Sequence, residues 1–159
     1  MSTWTEVTGI IRCDWFSLSR PNKNEVERDL EERKKLLTQI FDRKHSPQGT
    51  NDSYIRGSWS DDDVNTIVLL ASLRDFGEDE IIKFVVPWWD WLIEILSDIR
   101  QAVMTCTSDG HTHIFEKRMV ADCDLVSENS PLWREDPGIT IHTTRVIKKE
   151  YGKRREEIR

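Results

Sequence analysis

Side chains that bind zinc in proteins lie around one predicted turn. Cys106 precedes the pair Asp109-Gly110, and His111 and His113 follow it. This pair favours a two-residue type I′ hairpin turn. In such a hairpin Cys106 lies opposite His113, and His111 points to the same face because side chains alternate along a strand. Thiolate and imidazole are preferred zinc ligands, so these residues are the candidate metal site of the sequence.

The spacing of the ligands decides between this metal site and ordinary packing. Cys123 or Asp109 would complete a set of four ligands, but the spacing matches no standard zinc pattern. Met104 and Phe115 belong to the same predicted face and are typical core residues. We therefore prefer core packing, keep Cys106, His111 and His113 as the weaker metal alternative, and predict no cofactor.

The tripeptide His142-Thr143-Thr144 is a second candidate for chemistry. Two facing His-x-Thr motifs would resemble the 2H phosphodiesterases, in which paired histidines act as acid and base on a cyclic phosphate. The tripeptides that begin at His45 and His111 have a different third residue, so the second motif is missing. The sequence also has no glycine-rich phosphate loop. We predict no catalytic residue and keep an alternative, in which His142 or the His111/His113 hairpin binds or cleaves a nucleotide or cyclic nucleotide.

The segment Trp88-Trp89-Asp90-Trp91 is the strongest indication of binding. A helix turns by about 100° per residue, so its three indoles cannot all face one core. Trp88 continues an apolar stripe, whereas Trp89 and Trp91 project to the sides of that stripe. Because Trp is enriched among interface hot spots, we expect Trp89, Trp91 and Trp133 to form a protein-binding surface. The alternative is a second layer of core that the C-terminal residues and Trp133 cover.

These side chains are positioned by strands and helices that alternate along the chain. β-branched runs predict strands, and apolar residues at steps of three and four predict helices. Pro87 lies inside the second helix and is expected to kink it. The predicted strands are residues 3–14, 54–60, 66–75, 101–107, 111–118 and 139–147, and the predicted helices are residues 24–44 and 78–99.

The order of elements predicts an α+β protein. The simplest closed arrangement is a ferredoxin-like βαββαβ fold, an antiparallel sheet with two helices on one face. A β-hairpin arm and a C-terminal extension are added to it. We expect residues 1–120 to form an α+β sandwich domain and residues 121–159 to pack on it or project from it.

Composition limits the environment and the partners. The chain has 159 residues with a formal net charge of −6, which disfavours nucleic acid as a partner. Its three cysteines do not form a disulfide framework. No signal peptide and no membrane span are visible in the sequence. We expect a cytoplasmic protein.

Three blocks carry a resemblance to a known group of proteins. They are the opening Trp4-Thr5-Glu6-Val7-Thr8-Gly9-Ile10-Ile11, then Ser72-Leu73-Arg74-Asp75-Phe76 with Glu80-Ile81-Ile82, and Arg100-Gln101-Ala102-Val103. Over roughly residues 3–116 the chain resembles small proteins of tailed bacteriophages that have no assigned activity. The resemblance implies a phage protein made in the bacterial cytoplasm that acts on a host process or host defence. It implies no role for any particular residue.

The sequence therefore favours a non-enzymatic function. We expect a protein-interaction module, phage-encoded, that inhibits or modulates a host or defence protein. Its partner would be a host or phage protein or a second copy of the chain, bound through a sheet edge or the Trp-rich helix.

Overall fold

Seven strands and two helical regions form the described part of the protein. The computed structural model describes residues 2–13, 23–61, 64–96, 99–120, 133–136 and 138–147. The elements are β1 Trp4–Cys13, α1 Lys23–Ile40, β2 Arg56–Ser58, β3 Thr66–Arg74, α2 Glu78–Glu80, a π-helical segment Ile81–Val85, α3 Val86–Ile95, β4 Ile99–Ser108, β5 His111–Val120, β6 Trp133–Asp136 and β7 Ile139–Ile147. None of the described helices is both long enough and apolar enough to cross a membrane.

All seven strands belong to one mixed sheet in the order β2-β3-β1-β4-β5-β7-β6. The predicted α+β class is confirmed, but the sheet is mixed and not antiparallel throughout, because β5 and β7 pair in parallel. The whole strand order also differs from that of a four-stranded ferredoxin-like sheet. The β4–β5 hairpin lies in the middle of the sheet and is not a separate arm. β6 and β7, in the predicted C-terminal extension, continue the same sheet.

Alternation along the strands creates the core. In β1, Val7 and Ile11 are buried, and in β3, Ile67 and Leu69 are buried, while their immediate neighbours are more exposed. The apolar stripe of α1, which includes Leu37, belongs to the same hydrophobic cluster as these residues and α3. One face of the sheet is therefore covered by helices, as the period of two in the strands and the helical period of 3.6 require.

Pro87 changes the helix in front of it. In place of the single kinked helix that we expected, α2 is followed by a π-helical segment, in which the Val86 N–H donates to the Ile81 carbonyl. α3 then begins at Val86, with proline in its first turn. Proline has no N–H to donate to the preceding turn. The wider π-helical turn ahead of Pro87 accommodates the missing hydrogen bond.

The structure places two of the indoles differently from our expectation. Trp88 is in the core, as predicted, but Trp89 is only 1% exposed, and its ring centroid lies 6.0 Å from that of Phe115. The expectation that Trp89 is exposed is wrong, because β5 covers this side of α3. Trp91 is partly buried, and its ring stacks on that of His45 with 5.9 Å between the ring centroids. Trp133 lies in β6, where its backbone pairs with His142, and the binding role of its indole stays a prediction.

We expect Trp89→Ala to destabilise the fold, since it removes a buried indole and leaves a cavity. Such truncations cost about 3–5 kcal/mol, which urea denaturation monitored by circular dichroism would measure. Trp91→Ala, at a partly buried position on the same helix, is the matched control and should lose less stability. Equal free energies of unfolding in the two variants would contradict this assignment of the core.

Candidate metal centre

Strands β5 and β7 bring three histidines to the helix-covered face of the sheet. Asp109 and Gly110 have φ angles of 48° and 80°, which a type I′ turn requires. This turn sets the register in which Cys106 lies opposite His113, as predicted. In the parallel β5–β7 ladder, His113 pairs with Thr140 and Phe115 pairs with His142. Paired residues share a face of the sheet, so His142 and Thr140 point to the same side as His113.

The three imidazoles contact one another and Thr140. His113 Nδ1 lies 3.0 Å from His142 Nε2, and the two rings are inclined by only 11°. His111 Nε2 lies 2.7 Å from Thr140 Oγ1. The His142 ring also packs on Phe115, with 4.5 Å between centroids. The group is a connected polar cluster at the margin of the apolar core.

Glu78 joins this cluster from the first turn of α2. Its Oε1 atom lies 3.6 Å from His113 Nε2 and 3.9 Å from His111 Nε2. The start of the helix is fixed by the Gly77 N–H, which donates to the Glu80 carboxylate over 2.8 Å. The Thr5 hydroxyl donates to the Phe76 carbonyl and so ties the same segment to β1. We call Glu78, His111, His113 and His142 the histidine cluster.

The distances within the histidine cluster fit a metal ion. Ligand atoms of Glu78, His111 and His113 all lie within 4.8 Å of one another. Separations of 3.6 and 3.9 Å are longer than an ordinary hydrogen bond. Two ligands on a tetrahedral zinc ion are about 3.3 Å apart when each bond is 2.0–2.1 Å long. Small rotations of these side chains would therefore complete the coordination.

Burial decreases from one side of the cluster to the other. The side chains of His113, His111 and Glu78 are 1%, 26% and 53% exposed. An ion would thus be held by a buried imidazole at its inner side and reached from solvent past the carboxylate. Two histidines and one glutamate form a ligand set of catalytic zinc sites, which keep a fourth position for water or another ligand.

The protonation of His142 suits it to orient His113. Burial, with a smaller contribution from nearby His113, lowers the pKa of His142 to about 4, although Asp90 acts in the opposite direction. His142 is therefore neutral near neutral pH, and its Nε2 can accept a hydrogen bond. If a metal occupies Nε2 of His113, Nδ1 carries the proton and donates it to His142. Such an outer hydrogen bond fixes the orientation of a metal-binding histidine.

The ligand group of the structure differs by one residue from the metal site that the sequence left as the weaker alternative. Cys106 lies opposite His113 as expected, but the ligand group found among the described residues contains Glu78 in its place. Burial raises the pKa of the Cys106 thiol to about 12, so the thiol stays protonated. Asp109 is not in the group either, and Cys123 lies outside the described residues. Glu78 was missed because it lies far from His111 in the sequence and joins it only through the fold.

The arrangement of His142 does not reproduce a pair of facing His-x-Thr motifs. His113 and His142 contact each other directly, so a phosphate cannot fit between them. The Thr144 hydroxyl donates to Asp90 over 2.7 Å and is already engaged by α3. Nucleotide cleavage by a pair of facing histidines therefore gains no support from this geometry.

Comparison with protein-family models, curated proteins and solved structures finds no match. The resemblance to tailed-bacteriophage proteins stays a prediction. The chemistry of the histidine cluster is consequently argued from its own geometry.

The lowered pKa of His142 predicts how the free energy of unfolding of the metal-free protein depends on pH. An unfolded histidine takes up a proton near pH 6.5, but folded His142 does so only near pH 4. Between these values the unfolded chain binds more protons, so the free energy of unfolding should decrease as the pH falls. The charged and titratable groups that act on the His142 ring are His113, which lowers its pKa, and Asp90 of α3, which raises it.

Urea denaturation in EDTA across this pH range would measure the effect. His142→Gln removes the group that resists protonation and should make the free energy of unfolding less dependent on pH than in the wild type. An identical pH dependence in the two proteins would show that His142 does not have the lowered pKa.

Proposed function

We propose that this protein binds a divalent transition-metal ion, with Zn²⁺ as the first candidate, through Glu78, His111 and His113. The single observation behind the proposal is the convergence of two imidazole nitrogens and one carboxylate oxygen within 4.8 Å. These atoms come from α2 and β5, which are separate in sequence, so local chain geometry alone does not explain their proximity.

The types of ligand narrow the choice of metal. Mg²⁺ and Ca²⁺ prefer oxygen ligands, and Cu⁺ prefers sulfur. Two histidines and a carboxylate suit Zn²⁺, and the same set with open positions also binds Fe²⁺ in non-haem iron proteins. Both ions therefore belong in the test, and Mg²⁺ serves as the ion that should not bind.

Metal binding requires only a small rearrangement of the cluster. His111 Nε2 would exchange its contact with the Thr140 hydroxyl for the metal. One such hydrogen bond contributes about 0.5–1.5 kcal/mol, whereas zinc sites in small peptides bind with about 10–16 kcal/mol. The lost hydrogen bond therefore does not prevent binding. The bound ion would also connect α2 to β5 and stabilise the fold, because a ligand that binds only the folded state raises its stability.

We expect EDTA-treated, dialysed protein to bind one Zn²⁺ per chain in isothermal titration calorimetry. His113→Gln and Glu78→Gln each remove a ligand and should weaken binding by more than the roughly 10–100-fold that is typical for loss of an outer partner. His142→Leu, which replaces the outer hydrogen-bond acceptor by an apolar side chain, should fall within that range. Fe²⁺ under anaerobic conditions and Mg²⁺ complete the comparison.

Two variants serve as controls for this titration. Asp79→Asn removes an exposed carboxylate in the same helical turn and should leave the affinity for Zn²⁺ unchanged. Cys106→Ser should also bind normally, because the thiol is not a ligand. Absence of Zn²⁺ binding in the wild type, or equal affinities in Glu78→Gln and Asp79→Asn, would refute the proposal.

A second candidate function, protein interaction, is favoured by the face of the sheet that the described helices leave uncovered. Val68 and Leu70 on β3 are 39% and 53% exposed, on the face opposite the core. We infer that β2, β3, β1 and β4, all antiparallel, form with α1 and α3 a ferredoxin-like unit whose open face binds protein. A second copy of the chain is the partner tested first. Phage origin, a host or defence partner and a cytoplasmic location belong to this proposal.

Leu70→Lys tests the second candidate, since it places a charge in the exposed apolar area without changing the core. We expect wild-type protein to associate with rising concentration in light scattering, and Leu70→Lys to stay monomeric. Thr38→Lys, at an exposed position on α1, is the control and should associate like the wild type. A wild-type protein that stays monomeric at every concentration would rule out self-association through this face.

A further inference from the structure

The hydroxyl of Thr140 lies beside a nitrogen that would bind the metal. Its Oγ1 atom is 2.7 Å from His111 Nε2, and the residue is only 4% exposed. An imidazole nitrogen makes a hydrogen bond or a metal bond at the same place, in the plane of its ring. The hydroxyl is therefore on the metal side of the His111 ring, and it lies within about 5 Å of an ion whose bond to Nε2 is about 2.0–2.1 Å long.

Metal binding at His111 would take away the hydrogen bond of this hydroxyl. Among the described residues, the hydrogen-bond partner of Thr140 Oγ1 is His111 Nε2, and a nitrogen that binds a metal can neither donate nor accept there. Buried hydroxyls are nearly always hydrogen-bonded, and leaving one without a partner is destabilising. The metal-bound state thus needs a new partner for Thr140, and a ligand at the fourth position of the ion can provide it.

The fourth position of the ion is open to solvent. Zinc takes four ligands, and the group found among the described residues contains Glu78, His111 and His113. Because the side chain of Glu78 is 53% exposed and that of His113 only 1%, a small ligand can approach past the carboxylate. The same position is therefore within reach of solvent and close to the Thr140 hydroxyl.

The charge of the metal centre favours a ligand with a single negative charge. A divalent ion, one carboxylate and two neutral imidazoles together keep one positive charge, which a monoanion neutralises. The helical turn of Glu78 also contains Asp79 and Glu80. Their negative charges oppose a more highly charged anion such as phosphate.

We propose that the open position of the metal centre binds a small carboxylate that Thr140 orients. One carboxylate oxygen binds the ion, and the other accepts the hydrogen bond that the Thr140 hydroxyl loses from His111. A carboxylate suits both contacts because it has two acceptor oxygens, whereas linear thiocyanate has no oxygen. The inference rests on the proposed metal function, and it adds the class of ligand and a positioning residue.

Co²⁺ in place of Zn²⁺ makes the open position observable, because a change in its ligands changes its visible absorption spectrum. Acetate, thiocyanate and inorganic phosphate are titrated separately into Co²⁺-loaded protein. We expect acetate to change the spectrum and to bind more tightly than phosphate. Thr140→Val should weaken acetate binding about tenfold, since it removes a hydrogen bond to a charged group, and it should leave thiocyanate binding unchanged.

Two comparisons separate the orientation of a ligand from an effect on the fold. Thr140→Val should bind Co²⁺ at least as tightly as the wild type, because His111 no longer has a hydroxyl contact to exchange. Thr143→Val, whose native hydroxyl donates to Glu116, changes the opposite face of β7. It is the matched control and should bind acetate normally.

The outcomes distinguish this inference from the metal site itself. If the protein binds Co²⁺ but acetate does not change the spectrum, or phosphate binds as tightly as acetate, the inference is overturned and the metal site stands. The same holds if Thr140→Val keeps its full affinity for acetate, or loses affinity for acetate and thiocyanate alike. Absence of Co²⁺ binding would overturn both.

Discussion

The parallel pairing of β5 with β7 is the interaction on which the candidate metal centre depends. It places Thr140 beside His113 and His142 beside Phe115, and so brings in the side chains that His111 and His113 contact. Polar groups inside a protein are tolerated when they are hydrogen-bonded. The contact from His113 to His142 and that from His111 to Thr140 meet this requirement. The sheet therefore does more than support the site, because the β5–β7 register supplies both of these hydrogen bonds.

The position of the cluster at the edge of the helical layer explains its chemistry. Trp89 and Phe115 pack together on the inner side, which keeps His142 neutral and fixes the rings. On the outer side, Glu78 is exposed and belongs to the first turn of a helix that Thr5 and Glu80 hold in place. Imidazoles next to an accessible carboxylate are suited to holding a cation. The same network is poorly suited to holding a phosphate between two histidines, since those rings touch.

Local signals predicted much of this arrangement, and contacts between distant segments account for the errors. The Asp109-Gly110 turn was readable because its left-handed backbone favours these residue types, and it fixed Cys106 opposite His113. The late strand at residues 139–147 was also predicted with its observed bounds. Its parallel partner was not, because no local pattern specifies a neighbour. Trp89 was assigned to a surface because the helical period gives its direction but not what covers it. Glu78 had no signal apart from its place at the start of a helix.

X-ray absorption spectroscopy at the zinc edge of Zn²⁺-loaded protein tests the central claim most directly. The account predicts a first shell of nitrogen and oxygen only, at about 2.0–2.1 Å, with the multiple scattering of two imidazole rings. A sulfur ligand at about 2.3 Å would instead place Cys106 on the metal. A shell without imidazole scattering would show that the ion is bound elsewhere on the acidic surface. Either result would contradict a metal centre built from Glu78, His111 and His113.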